Sequence, residues 1–564
     1  MVPAMLYTDV RINLPVPATY RQKRSGVVYL YKYTDTYYTQ DKKQRHKSAL
    51  IGRVEIDKES GIEYLIPNDT YFKLSGAAAP LGSTVRSRGR APKESDPHRH
   101  STGDTVGVGF TVVCLSLWHY LGIKDIADKV FGSKLAEKLF ALACYYAAGY
   151  GKDGLDEIDL FLEKNLSFLQ EPFNGRRACE IFTRCTPTLN DEFLEAWIKL
   201  NRDKEKADSF YYDVTSVSSY SDALPEIEFG YNRDKESLPQ LNIGLLSSRK
   251  NDVPLFYTSY NGSINDTANF NYVLKRVKDL GLSSDFDLIF DGGFSRDNIN
   301  FTALQGHNLL LGVSQKRLKI VAAAVDKWRK EFKRTYDNSF MLNEEIIYHG
   351  HTDFTLGTTK GRLLFYYSLT KEQHQLHDLY LHIAKEEKEL EELTGGCPET
   401  DKYKDFFSIT PKRGPKGFSF KRNEDAVHAA ELQQGVTVLF TTLKNITDEE
   451  ALLAYRNKDR IEKMFETLKN DIIDGRMHVH SLEAWQGKLF VLFLALILRK
   501  ELHKRLKPVL STTHHTFHRS VTVLKDIKMI RNQDRWVCRK ALTAEQKSLL
   551  NAALPFDMKE LRSV

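Results

Sequence analysis

The sequence predicts an α/β fold, and three observations carry that prediction. Residues 209–260 hold three short β runs, "SFYYDVTSV", "LNIGLLSS" and "VPLFYTSY". A helical run, "DTANFNYVLKRVKDLG", follows them. Next comes "FDLIFDGG", apolar almost throughout and therefore read as a strand buried on both faces. With the further strand "NLLLGV", this β-β-β-α-β order describes a layer of strands covered by helices.

The rest of the chain is read outward from that layer. Within a basic N-terminal domain of residues 1–74, residues 26–66 alternate and are rich in Tyr, Val and Ile, with "KESG" as a turn, so they predict a small antiparallel sheet. The whole excess positive charge lies here. Residues 1–53 hold ten Lys and Arg against three Asp and Glu, which equals the net +7 of all 564 residues. Basic charge interleaved with aromatics suits a phosphate backbone, although a solvated sheet face would look the same. Residues 75–104 change to Gly, Ala, Pro, Ser and Arg and predict a flexible linker. Arg86, Arg88 and Arg90 are spaced there to meet successive phosphates. His98 and His100 lack a second ligand pair and are read as plain linker residues.

Residues 105–205 are helical in period throughout, as in "IADKVFGSKLAEKLFALACYYAAGYG". Residues 206–314 contain the strand layer. Residues 315–435 interrupt it and read as an inserted, mainly-β domain with a charged helix and a Gly/Pro-rich loop. Residues 436–505 return to the layer with "GVTVLFTT" and the helical "AYRNKDRIEKMFETLK", and 506–564 close the chain with helices. The run "AWQGKLFVLFLALILRKELHKRL" is apolar on most sides yet shorter than a membrane span, so it predicts a buried helix. No secretory signal opens the sequence and its six cysteines form no Cys-x-x-Cys pair, so a cytosolic protein with reduced thiols is expected.

The candidate site rests on three carboxylates. Asp213 lies near the end of the first strand, and Asp291 ends the fourth. Parallel strands present their C-terminal ends to one crevice, which is where open α/β sheets place ligands. In the late helix, Ile461, Met464, Phe465, Leu468 and Ile472 form an apolar stripe that would pack on the sheet. Tyr455, Lys458, Glu462, Phe465 and Lys469 form a second stripe at its edge. Glu462 is thereby brought to the two aspartates. Three carboxylates without His or Cys make a hard-oxygen site for Mg2+ or Mn2+, and two such ions suit phosphodiester chemistry. Singly, each residue has a plainer reading: Asp213 as a turn cap, Asp291 as turn chemistry before Gly-Gly, and Glu462 as the helical partner of Lys458.

Taken together, "YYDVTSV", "IFDGGFSRDNI" and "YRNKDRIEKMFETLK", in this order, resemble a bacterial insertion-sequence DDE transposase. The likeness is to the family named after insertion sequence four and its branch named after insertion sequence sixteen-thirty-four. The family pattern in the third segment is Tyr, two residues, Arg, three residues, Glu, six residues, Lys. Tyr455, Lys458, Glu462 and Lys469 stand at that spacing, with Lys458 in place of the usual Arg, which keeps the charge and loses the bidentate fork.

The resemblance implies a ribonuclease H-like core in 206–314 and 436–505, interrupted by the insertion. It also implies cleavage at transposon ends and joining of the 3′ ends to target DNA, with Asp213, Asp291 and Glu462 as metal ligands. Tyr455, Lys458 and Lys469 would hold the backbone, residues 1–74 would bind DNA, and 105–205 would bind DNA or dimerise. The implied partners are the double-stranded terminal inverted repeats and target DNA, bridged by a homodimer. Trp328 in "VDKWRKEFKR" is the candidate for stacking a flipped base. A nuclease that cuts without joining, or a DNA-binding protein with a relic catalytic centre, would carry the same motifs.

Overall fold

The alternating runs near the N-terminus pair as their period predicts. In the computed structural model of the protein, five antiparallel strands lie in the order Ile12–Asn13, Glu63–Pro67, Gln44–Ile56, Val27–Tyr38, Thr19–Arg24. Leu30, Ile51 and Leu65 are buried on one face. Because Arg21 pairs with Leu30, the neighbouring pair Tyr20–Tyr31 faces the other way, with its rings stacked 5.3 Å apart. The structure describes residues 6–555, save for 39–43, 78–84, 87–104, 166–171, 203–207, 220–226, 292–298, 473–480 and breaks of three residues or fewer. Most of the predicted linker, with Arg88, Arg90, His98 and His100, lies outside the described residues. Arg86 falls in the two-residue strand Val85–Arg86, which pairs with Leu6–Tyr7.

The chain divides into two compact units, Met1–Ser101 and Thr102–Val564. The second is mixed α/β. Its helices Gly109–Tyr120, Ile123–Phe131, Ser133–Ala147, Gly175–Phe182 and Pro187–Asn201 occupy the stretch whose period was helical. They surround the long helix Leu482–Thr513, which explains why that helix is apolar on most sides. Gly487 lies so close to the Phe182 backbone that a Cβ would collide with it, and Arg499 donates to the carbonyl of Ala147 at 2.9 Å. No helix among the described residues is long and apolar enough to cross a membrane.

The central sheet has nine strands. In chain order they are β1 (Asp208–Ser218), β2 (Gln240–Ser248), β3 (Pro254–Asn261), β4 (Phe286–Phe290), β5 (Asn308–Gly312), β6 (Ser339–Leu342), β7 (Glu345–Leu356), β8 (Thr359–Ser368) and β9 (Val436–Thr441). In space they run β3-β2-β1-β4-β5-β9-β8-β7-β6. Strand β4 is parallel to β1 and to β5; the other neighbours are antiparallel. Helix α1 (Asp266–Asp279) links β3 to β4. Phe286, Leu288, Ile289 and Phe290 are fully buried, as an apolar central strand requires.

Residues 315–435 add β6, β7 and β8 to the central sheet, pair Phe407–Pro411 with Phe418–Arg422 in a separate two-stranded sheet, and contribute α2 (Lys319–Glu331), α3 (Leu369–Glu392) and α4 (Glu424–Gln433). A small satellite core of Ile383, Leu390, Tyr403, Phe407 and Phe418 lies in this stretch.

Candidate active site

The register of two parallel strands levels the aspartates. Tyr211 of β1 pairs with Ile289 of β4, so Asp213 and Asp291 each lie two residues beyond that pair, toward the C-terminal ends of their strands. Tyr211 and Asp213 share a face of β1, and the Tyr211 hydroxyl donates to the carbonyl of Ala454 at 3.2 Å. That bond docks helix α5 (Asp448–Arg456) onto the face from which Asp213 projects.

Thr447 opens α5 with a capping box shared with Glu450, and acidic residues fill the first turn, where the helix dipole favours them. The late segment is not one helix. Helix α5 ends at Arg456, a tight turn carries Asn457 and Lys458, α6 spans Asp459–Glu466, and Thr467–Ile472 is π-helical. The turn arises because the Lys458 amide bonds to Tyr455 O at 3.0 Å, a three-residue step that breaks the register. The stripe of Tyr455, Lys458, Glu462, Phe465 and Lys469 is therefore distributed over α5, the turn, α6 and the π-helical segment. The apolar stripe does seat as expected: Ile461, Met464, Phe465, Leu468 and Ile472 are all buried.

The turn delivers Lys458 into the middle of the carboxylates. Its Nζ lies 2.5 Å from Glu462 Oε1, 3.8 Å from Asp213 Oδ2 and 3.9 Å from Asp291 Oδ2. The lysine side chain is 7% exposed, whereas those of Asp213, Asp291 and Glu462 are 22%, 59% and 50% exposed. One buried cation thus serves three carboxylates that are reachable from solvent. If all three are ionised, two negative charges stay uncompensated. Burial raises the Asp213 pKa by more than Lys458 lowers it. Burial would lower the pKa of Lys458 itself, but Asp213, Glu462 and Asp291 outweigh it and the net shift is upward.

Tyr455 completes the rim. Its hydroxyl donates to Asp291 Oδ1 at 3.1 Å, and burial together with Asp291 pushes its pKa well up. The ring lies against the end of β5, where a Cβ at Gly312 would collide with the hydroxyl. Glycine is required there for close approach.

The donor set around Lys458 is all carboxylate oxygen, which fits a hard divalent cation and no soft one. As they stand, the carboxylates are spread around the ammonium, and among the described residues no group of three or more His, Cys, Asp and Glu side chains is drawn tightly enough to hold a metal ion.

The remaining predicted residues lie elsewhere. Lys469 is half-buried in the π-helical turn beyond Glu462. Trp328 of α2 stacks on Phe365 with ring centroids 5.1 Å apart and packs on Phe332 at 4.7 Å, so its ring is taken up by the sheet. Two features carried no sequence signal. His349 and His351, alternate residues of β7, bond through Nδ1 to Asp448 Oδ2 at 2.7 and 3.1 Å, about a hundred residues away in sequence. Lys371 of α3 lines a cleft that opens beside Asp291 and Tyr455. The basic pair Lys316–Arg317 in that cleft was visible as "QKR" directly after "NLLLGVS".

No family model matches the chain, and no curated protein matches it. Among solved structures it is similar to a piggyBac transposase in a synaptic complex with hairpin DNA, at 10% identity and a TM-score of 0.31. The likeness covers 69% of this chain and 62% of that one. At that level it carries no argument about activity.

Proposed function

We propose that the chain is a DNA transposase in which Asp213, Asp291 and Glu462 hold divalent ions for phosphodiester cleavage and joining. The observation that carries this reading is the convergence of the three carboxylates on one cation position, with Asp213 projecting from the middle of β1 and Asp291 from just past the C-terminal end of β4. The motif order supports it. So does the run of antiparallel β1–β3 followed by parallel β4 and β5, which agrees with a ribonuclease H-like core.

When bound, Mg2+ or Mn2+ supplies positive charge to the reacting phosphate and acidifies an attacking water or hydroxyl. The chain's own residues do the rest. The sheet fixes Asp213 and Asp291, and the buried side chains of α6 hold Glu462 opposite them. Tyr455 and Lys458 are donors in the same site and orient the phosphate without reading sequence. The lysine's single ammonium acts as a point charge there, where an arginine would act as a fork. No covalent link to the protein is needed, because positioning and charge stabilisation suffice for phosphoryl transfer.

The test is a strand-transfer assay with a pre-cut duplex bearing the inverted repeats that flank the reading frame, run with and without Mg2+. Joined product supports a transposase, and hydrolysed product alone a nuclease of the same design. Binding without either product contradicts the catalytic reading.

A further inference from the structure

Beside the candidate active site lies a cleft of about 470 Å3, with Asp291 and Tyr455 at one end. Its walls are the loop that follows β5, the first strand residues of β9 and the first turn of α3. Three cations line it: Lys316, Arg317 and Lys371. Lys316 and Arg317 are exposed at the rim. Lys371 lies deeper. Its Nζ donates to Val436 O at 3.1 Å and to Thr437 Oγ1 at 2.6 Å, both neutral acceptors. Among the described residues it has no carboxylate within ion-pair distance.

A desolvated ammonium is costly unless it is paired, and it carries three donors, of which two are accounted for. Burial, followed by the nearby Arg456, pushes the Lys371 pKa down by more than Glu345 raises it. A second polar group in the cleft is also incomplete. Gln315 donates through Nε2 to Gln433 O at 2.9 Å, while its Oε1 is buried without a hydrogen-bond partner. Cleft and partly buried cation point to an anionic ligand, and the orphaned Gln315 acceptor calls for a donor elsewhere on the same ligand, such as the amino group of a base next to the phosphate.

We propose that this cleft is a phosphate-binding subsite that guides the DNA strand away from the carboxylates, with Lys371 donating to a backbone phosphate and Lys316 and Arg317 holding it from the rim. The inference rests on the DNA reading given above and extends it to residues on α3 and the β5 loop. The volume lies within the range of ordinary ligand sites and suits one nucleotide unit. A free inorganic phosphate would satisfy the same groups, so the test separates the two sources.

The experiment measures binding of a fluorescein-labelled DNA duplex to the full chain across a salt series, with thermal unfolding of each protein in parallel. Lys371→Met is expected to weaken duplex binding about tenfold, the loss typical of a charge-assisted contact. It should also flatten the salt slope by about one, and Lys316→Ala/Arg317→Ala should do the same. Lys371→Arg keeps the charge and should retain most of the affinity. Lys371→Met should melt no lower than the parent protein, because it removes a half-buried cation that has no carboxylate within ion-pair distance among the described residues. Unchanged duplex affinity and salt slope in both variants, with Mg2+-dependent cleavage intact, overturns the subsite alone. So does a stabilisation by inorganic phosphate that Lys371→Met abolishes without any change in duplex binding. Loss of cleavage in the parent chain with the Lys371 effect preserved sinks the catalytic reading and leaves the subsite standing.

Discussion

The ammonium of Lys458 stands 2.5 Å from the carboxylate of Glu462, one helical step away, and it is shared with Asp213 and Asp291. An exposed pair at this spacing contributes only about 0.3 to 0.5 kcal/mol. Lys458 is not such a pair, because it is buried and is the cation around which three acidic groups are arranged.

Removing that cation should leave three like charges facing one another. Lys458→Met is therefore expected to melt below the parent protein in the absence of metal and to recover more on addition of Mn2+, since a ligand of the folded state stabilises it by mass action. The check is thermal unfolding of both proteins with and without Mn2+, free of DNA. An identical metal response in the two would show that Lys458 and the divalent ion do not share a position.

Gly312 admits the Tyr455 hydroxyl to Asp291. Gly312→Ala should push the tyrosine away and slow cleavage on the order of a hundredfold, the scale of loss that a small misplacement near a reacting bond can produce. Single-turnover cleavage alongside DNA binding tests this. A wild-type rate would mean that Tyr455 does not need its contact with Asp291.

Asp448 predicts a pH dependence of stability. Burial would raise its pKa, but hydrogen bonds from His349 and His351 and their charge outweigh it, and the net shift is downward. A carboxylate whose folded pKa is depressed contributes stability that is fully present above its unfolded pKa of about 3.9 and is lost as pH falls through the lower folded value. Asp448→Asn should accordingly be less stable than the parent at pH near neutral, and the gap should narrow as pH falls below about 4. Urea midpoints measured across that range decide it, and a gap independent of pH would assign the loss to packing.

Much of this arrangement was legible in the sequence, and the reasons are local. The strands of the layer announce themselves by short apolar runs bounded by turn residues. Asp291 is placed by the end of its strand and Glu462 by the apolar stripe beneath it, whereas Asp213, expected near a strand end, lies in the middle of β1, which runs on to Ser218. The break at Lys458 was not legible, because Asn457 and Lys458 fit an unbroken helical period and the three-residue bond at Tyr455 is set by docking. Nor were the His349–Asp448 contact or the place of Lys371, since each joins segments some 65 to 100 residues apart through sheet pairing that periodicity does not specify. The continuation of the sheet through β6, β7 and β8 was hidden for the same reason: a strand's period marks its faces and leaves its partner open.

The N-terminal unit carries the chain's excess charge and a face of stacked tyrosines. A chain beginning at Thr102 should lose much of its affinity for duplex DNA and show a shallower salt dependence in what remains. Titration of labelled duplex against both proteins over a salt series measures this. Equal affinity and slope would assign the N-terminal sheet to some other contact.

The central claim is that Asp213, Asp291 and Glu462 act together as the ligands of catalytic divalent ions. It is tested most directly by single-turnover, Mn2+-dependent cleavage of a labelled duplex end by Asp213→Asn, Asp291→Asn and Glu462→Gln, with DNA binding measured on the same samples. Each variant is expected to lose about a thousandfold or more in rate, the scale of several kcal/mol of transition-state stabilisation, while binding DNA within a few-fold of the parent chain. Cleavage near the wild-type rate by any one of the three would contradict the account.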